Sequence, residues 1–244
     1  MNNAVRKHGI MDVHTHILPG MDDGSASLKE SVEMIRASVG QGIGSIVMTP
    51  HFYPRRESPE RFLERREKSV RALIGAVKDL DGMPEMYFGA EVEYFEGMAR
   101  SPDMEDLLIG RSRVLLVEMP FCRWSDRMVS ELMFLREARS ITPLLAHVER
   151  YLSYQPPDMI EDLVGRGVLI QSNASFFMGT LRSRQAMRML RNRQIHLLGS
   201  DCHNMHSRPP NLGAAIERIR AKGEPGDIAH IRRMQKILTG RCPE

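Results

Sequence analysis

Cysteine is scarce in this 244-residue chain, with only Cys122, Cys202 and Cys242 present. An odd handful cannot supply a disulfide framework, and it fits a reducing compartment. Long apolar runs are missing too: none approaches the ~20 residues that cross a bilayer. The opening MNNAVRKHGI lacks the apolar centre of a signal peptide. Charge of one sign is also missing. Lys+Arg 34 against Asp+Glu 31 leaves +3, too small an excess for a dedicated nucleic-acid binder with its concentrated basic face. Lysine itself is rare, so the basic residues are nearly all arginine. Glycine and proline are spread along the chain, which leaves no low-complexity linker. No Gly-x-Gly-x-x-Gly or Walker-type loop occurs, which removes the usual nucleotide folds. A cytoplasmic protein without membrane insertion is expected.

What is present is alternation. Short apolar runs at Ile10–His14, Ser45–Thr49, Met86–Ala90, Val114–Met119, Pro143–Val148, Val168–Ser172 and His196–Ser200 read as strands. Amphipathic stretches between them read as helices: Leu28–Gln41, Pro59–Asp79, Ser125–Ala138, Pro157–Gly165 and Leu181–Arg193, with Leu212–Lys222 and Asp227–Leu238 closing the chain. Between Val92 and Arg113 a short helical piece and a loop are expected. Such alternation implies an α/β fold with a mostly parallel sheet, either closed into a barrel or open and doubly wound. The length suits one barrel-sized domain, residues 9–244, after a tail of residues 1–8.

Polar residues gather where the strands end. The first strand delivers His14 and His16, then Asp22-Asp23-Gly24. Later ones deliver His51, Glu91, Glu118, His147 with Glu149 and Arg150, Asn173, and finally Asp201 and His203. In parallel barrels this is the face on which catalytic groups from different strands meet. Strand residues i and i+2 share a face, so His14 and His16 can aim two imidazoles at one ion, and Asp201 and His203 can do the same. A single His-x-His is a weak signal; the joint pattern is strong. Imidazoles and carboxylates bind zinc, manganese and iron. His196 begins a strand, at the wrong end, while His8 lies in the tail, His206 in a loop and His230 in the last helix; all four read as ordinary structural or surface residues.

His14-Thr15-His16 with Asp22-Asp23-Gly24 resembles the first motif of the PHP (polymerase and histidinol phosphatase) superfamily. Thr49-Pro50-His51 and Gly89-Ala90-Glu91 are similar to the second and third. Ala146-His147-Val148-Glu149-Arg150-Tyr151 and Ser200-Asp201-Cys202-His203-Asn204 are similar to the later ones, and Ser207-Arg208-Pro209-Pro210 follows. The set resembles the CpsB/YwqE-type bacterial protein-tyrosine phosphatases of capsular and exopolysaccharide systems, from about Ile10 to the last helix. The resemblance implies a distorted seven-stranded (βα) TIM-like barrel with three metal ions. Its ligands would be His14, His16, Asp23, His51, Glu91, Glu118, His147, Asp201 and His203. Of the two aspartates, Asp23 is preferred because it directly precedes the glycine. Glu149 is left out because neighbours on a strand face opposite ways. The ion identity, Mn, Fe or Zn, stays open, as does the oligomeric state. A tyrosine autokinase of the polysaccharide system is the implied phosphorylated partner.

The expected chemistry is in-line attack on phosphorus by water activated at the ions. Arg150 and Arg208 are the expected clamps for the phosphoryl oxygens, because a guanidinium fork matches them. Phe52, Tyr53, Arg55 and Arg56 follow His51 directly and are expected at the rim, where an aromatic phosphate could pack. The run from Cys202 to Arg208 formally matches the Cys-x5-Arg loop of cysteine-dependent phosphatases. It lacks glycine and runs into Pro209-Pro210, so a thiol mechanism is not favoured. Another phosphoesterase such as a histidinol-phosphate phosphatase is the nearest alternative, and a non-catalytic metal-binding scaffold a more distant one.

Overall fold

The computed structural model describes residues 9–78 and 80–239. The expected tail, His8, Asp79 and Cys242 lie outside them. Among the described residues nine strands run in chain order: β1 (Ile10–Thr15), β2 (Ile43–Met48), β3 (His51–Phe52), β4 (Glu85–Phe88), β5 (Glu91–Glu93), β6 (Val114–Glu118), β7 (Thr142–Leu145), β8 (Leu169–Asn173) and β9 (Leu197–Gly199). Seven α-helices accompany them among the described residues: α1 (Leu28–Gly40), α2 (Pro59–Val77), α3 (Asp126–Arg139), α4 (Met159–Gly165), α5 (Leu181–Arg191), α6 (Leu212–Lys222) and α7 (Pro225–Leu238). Every strand pairing is parallel. The sheets run β1-β2-β4 and β3-β5-β6-β7-β8-β9.

The two sheets belong to one wall. Thr49-Pro50 separates β2 from β3, and Gly89-Ala90 separates β4 from β5. Across these breaks Gly89 N donates to Met48 O at 3.0 Å and Glu91 N to Pro50 O at 3.0 Å. Proline brings no N–H to a ladder, so a kink there costs little pairing. The strands expected to end at Thr49 and Ala90 stop at Met48 and Phe88, and short strands that were not expected follow them at His51 and Glu91. At the far edges, Asp201 N donates to His14 O at 2.8 Å and His16 N to Cys202 O at 2.9 Å.

Helices begin where the sequence punctuates them. Ser27, Ser58 and Ser125 cap α1, α2 and α3 by accepting the backbone N–H of the third helical residue. Their apolar faces cover the strands in one large core that includes Ile35, Phe62, Leu73, Leu132 and Ile216. A smaller cluster of Val47, Leu116, Leu144, Leu169 and Leu197 is joined by Met234, Ile237 and Leu238 of α7. By strand alternation Leu116 shares a face with Glu118, and Leu169 with Gln171 and Asn173. This cluster is thus the apolar floor beneath the polar strand ends.

Two sequence expectations change. Val148 does not extend β7: it opens a 3-10 turn over Val148–Arg150, and His147 stands between at φ 30. The interval from Val92 to Arg113 holds the end of β5 and two 3-10 turns, Met98–Arg100 and Pro102–Leu107, where one helical piece was expected.

Candidate active site

All the residues singled out at strand ends meet at one end of the sheet. At the centre lies the buried carboxylate of Glu91. Its Oε2 stands 3.1 Å from His14 Nε2, 3.3 Å from His16 Nε2 and 3.1 Å from His51 Nδ1, and its Oε1 2.9 Å from His147 Nε2. Asp201 Oδ1 lies 3.7 Å from His14 Nε2, 3.5 Å from His16 Nε2 and 3.7 Å from His203 Nδ1. Glu118 adds its oxygens at 3.3 Å from His147 and 3.9 Å from His51. Asp23 is 67% exposed, and its Oδ1 sits 3.8 Å from His51 Nε2 and 3.5 Å from His203 Nε2.

The rings are aimed by residues behind them. Asp22 Oδ2 accepts from His16 Nδ1 at 2.7 Å and also from His51 N at 2.8 Å, while Oδ1 accepts from Gly24 N. That fixes the His16 tautomer with Nε2 turned inward. Gly24 is needed in this turn, since a Cβ there would meet His16 O at 2.3 Å. On the opposite wall Gln171 Oε1 accepts from His14 Nδ1 at 3.2 Å and from His147 N at 2.6 Å. Its amide donates to Asn173, and Asn173 Nδ2 donates to Asp201 Oδ2 at 2.8 Å. Sequence reasoning missed Gln171, although its i, i+2 spacing from Asn173 on a buried strand was the available signal. It also missed Asp12, a buried carboxylate that accepts from Ser200 N at 2.8 Å. Burial pushes its pKa up to about 6.

The electrostatics describe a site short of cations. Burial works to raise the pKa of Glu91, yet His14, His147 and His16 outweigh it and hold Glu91 well below the usual range. Burial likewise opposes charge on His16, but Asp22, Asp201 and Glu91 raise it well above its ordinary value. His14 Nε2 and His16 Nε2 stand 3.1 Å apart. Glu91 Oε2, His51 Nδ1, His147 Nδ1 and His203 Nε2 are buried with no hydrogen-bond partner among the described residues. Lone pairs that face one another in a buried site, unpaired, match what a bound cation would satisfy. Three groups have donor atoms within 4.8 Å of one another: His16 with His51 and His203, His14 with His16 and Asp201, and His51 with Glu91 and Glu118. The donor set fits metal ions.

Two residues here have left-handed backbones despite carrying side chains: His147 at φ 30 and Asp201 at φ 54. Such conformations persist only where surrounding structure holds them, and they gather at functional sites. Arg150 and Arg208, each about one-third exposed, both reach Asp201 Oδ2, Arg208 at 2.8 Å. Glu149 accepts from Ser172 Oγ and Asn173 N, both at 3.3 Å. Cys202 is buried, and burial pushes its thiol pKa far up. A buried, protonated thiol is no nucleophile, which disposes of the Cys-x5-Arg reading.

A cleft of about 540 Å³ opens beside His51 and Asp23, lined also by Tyr53, Arg56, Arg61 and Arg65. The Tyr53 ring stacks on His51 at 4.8 Å between centroids, and the Arg56 guanidinium lies over Tyr53 at 4.3 Å. Phe52 does not join them. It is 1% exposed and packs on Phe62 at 5.3 Å, because residues 51 and 53 share one strand face and 52 takes the other. Phe121 stacks over His147 at 6.1 Å and Tyr151 at 5.6 Å on the far side of the site.

The chain is similar to several known proteins. The tyrosine-protein phosphatase YwqE of Bacillus subtilis is 28% identical over 206 residues, covering 82% of this chain and 79% of that protein. The tyrosine-protein phosphatase CpsB of Streptococcus pneumoniae is 29% identical over 230 residues, covering 87% and 90%. A crystal structure from work on YwqE and CpsB, described as unique metal-dependent tyrosine phosphatases, superposes with a TM-score of 0.81 at 24% identity, covering 96% of both chains. A phosphotriesterase homology protein from Escherichia coli, with phosphate in its active site, shares the fold more loosely, with a TM-score of 0.52 at 14% identity, covering 93% and 98%. Residues 10–238 match the model of the capsular polysaccharide synthesis proteins CpsB/CapC, and the chain belongs to that family.

Proposed function

We propose that this chain is a metal-dependent protein-tyrosine phosphatase. The observation that carries this reading is the convergence of four imidazoles on the Glu91 carboxylate, beside two arginines gathered on Asp201. His14, His16, Asp23, His51, Glu91, Glu118, His147, Asp201 and His203 would hold three ions, of Mn, Fe or Zn. The chemistry such ions supply when bound is a more acidic water and a clamp on phosphoryl oxygens. Asp22 and Gln171 keep the His16 and His14 rings turned into the site. Arg150 and Arg208 each keep further N–H groups for the non-bridging oxygens of phosphate, where negative charge grows during in-line displacement. Tyr53 and Phe121 offer ring faces to an aromatic leaving group. Tyrosinate, with a pKa near ~10, needs less protonation on departure than an aliphatic alkoxide does.

The partner in this reading is a tyrosine-phosphorylated protein, a tyrosine autokinase of a polysaccharide system. The capsular polysaccharide family and the names of the relatives support it. The parallel strands are read as a distorted seven-stranded barrel forming one domain over residues 9–244. The hydrogen bonds across the two breaks and between the ends of β1 and β9 support that reading. A cytoplasmic location fits the free thiols of Cys122 and Cys202.

Hydrolysis of a phosphotyrosine peptide tests the proposal. Activity disappears on chelation and returns as Mn, Fe or Zn is added back, whereas C202S retains a substantial part of it. The phosphotyrosine peptide is also cleaved faster than histidinol phosphate. A chelated protein that stays active while C202S is dead would overturn the metal reading, and preference for histidinol phosphate would overturn the substrate.

A further inference from the structure

Charge is balanced over the whole chain but not along it. Residues 163–200 contain no Asp or Glu and six Arg. Most of these arginines lie on α5, and their spacing is ordered. Leu181, Arg184, Arg188 and Arg191 follow one another at intervals of three, four and three, which places them on one helix stripe. Against this stripe lies α6, whose Arg218 and Lys222 are four residues apart. The two rows line a groove of about 400 Å³. Arg218 is committed to the fold, donating to Gly179 O at 2.7 Å and Ser183 Oγ at 3.0 Å. Arg191 lies 3.3 Å from Glu224. Arg184, Arg188 and Lys222 have no carboxylate within 4 Å among the described residues. Like charges on one groove repel one another, and at these three no carboxylate offsets that.

The head of the stripe is apolar. Leu181 is 76% exposed and Met178, just before it, is 40% exposed. A lone exposed leucine is commonplace. Here it tops a row in which Arg184 and Arg188 have no carboxylate partner among the described residues, on a helix whose other face is buried, with Ala186, Met187 and Leu190 in the core. An apolar tip with flanking cations is the pattern of a surface that rests in a lipid interface: the tip enters the acyl boundary and the cations meet headgroup phosphates. Nucleic acid would use the cations and leave Leu181 and Met178 in water.

We propose that the α5–α6 face docks on an anionic phospholipid surface, with Leu181 and Met178 as the inserting tip and Arg184, Arg188 and Lys222 as the headgroup contacts. The tip follows directly from β8 and the 3-10 turn Ala174–Phe177, so it lies at the end of the sheet that carries the active site. Docking would hold the mouth of that site near the membrane plane, where a membrane-attached substrate would present itself. The inference does not depend on the chemistry of the site.

Sedimentation with vesicles tests it directly, on the full chain. Wild type sediments with vesicles of mixed phosphatidylglycerol and phosphatidylcholine, stays in solution with phosphatidylcholine alone, and is released by salt. The double variant R184E/R188E lowers the partition coefficient at least about thirtyfold, at ~5-fold per cation held near an anionic surface. L181S lowers it about tenfold, the loss of one buried aliphatic side chain. These residues are exposed, so melting temperature and hydrolysis of a soluble phosphotyrosine peptide stay at wild-type values. Failure of wild type to sediment overturns the proposal, as does wild-type binding by R184E/R188E. If L181S binds vesicles normally and soluble polyglutamate displaces the protein from them, the face is a site for an acidic protein segment and the lipid assignment is wrong.

Discussion

Asp201 divides its carboxylate between two tasks. Oδ1 faces His14, His16 and His203, while Oδ2 accepts from Arg150, Arg208 and Asn173. The arginines therefore lie one carboxylate away from the cluster of donor atoms. Removing either should weaken the reaction and spare metal binding. R150A and R208A are each expected to lose ~2–4 kcal/mol of transition-state stabilisation, the usual consequence of deleting one strong donor to developing charge. Metal content measured on the same preparations should match wild type. Loss of metal would instead make the arginines supports of Asp201. The histidines of this site were legible because alternation along a strand says which residues share a face. The division between Asp22 and Asp23 was harder. Two adjacent aspartates in a turn give no parity to follow, and only the folded turn puts Asp22 behind His16 with Asp23 out at the rim.

At the scale of elements, the two-residue strand β3 shows what periodicity can and cannot supply. His51 and Tyr53 face the site, and Phe52 faces α2 through Phe62. Treating Phe52 and Tyr53 as a pair ignored the strand's own alternation. The two substitutions should separate cleanly. Y53A should raise KM for a phosphotyrosine peptide several-fold more than for a small aliphatic phosphate, with little change in melting temperature. F52A should cost ~3–5 kcal/mol of stability through the cavity it leaves, and urea unfolding reads that directly. Equal effects of Y53A on both substrates would make its ring a support for His51. Strand interruptions were less legible than strands. Thr49-Pro50 and Gly89-Ala90 stand where the expected strands end, and the short strands resumed at His51 and Glu91 are set by neighbouring strands that supply bonds across the kinks.

Across the whole molecule, histidines outside the site form a second titrating group. His196 Nδ1 accepts from Ile170 N at 3.1 Å, and His230 Nε2 donates to Ile195 O at 3.2 Å, with ring centroids 5.9 Å apart. Burial first, then the neighbouring His230, pushes His196 down to about 4. The folded state therefore favours neutral His196, and the unfolded chain takes up the proton first. The stability this contributes is complete above about pH 6.5 and is lost as pH falls toward 4. The expected loss is on the order of 2–3 kcal/mol. Unfolding free energies of wild type and H196Q should draw together over that interval, whether or not metal is present. A constant difference across it would mean the ring does not titrate with unfolding. Asp12 bonds Ser200 across 188 residues of chain, and His14 meets Asp201 through the same seam. During synthesis His14 and His16 are made well before Asp201 and His203, which lie on the far side of that long separation. Closing so long a loop is slow. The nascent chain carries His14 and His16 without Asp201 and His203 until that distant segment has been made, so on the proposed metal reading the site loads only after β9 and the residues that follow it are in place.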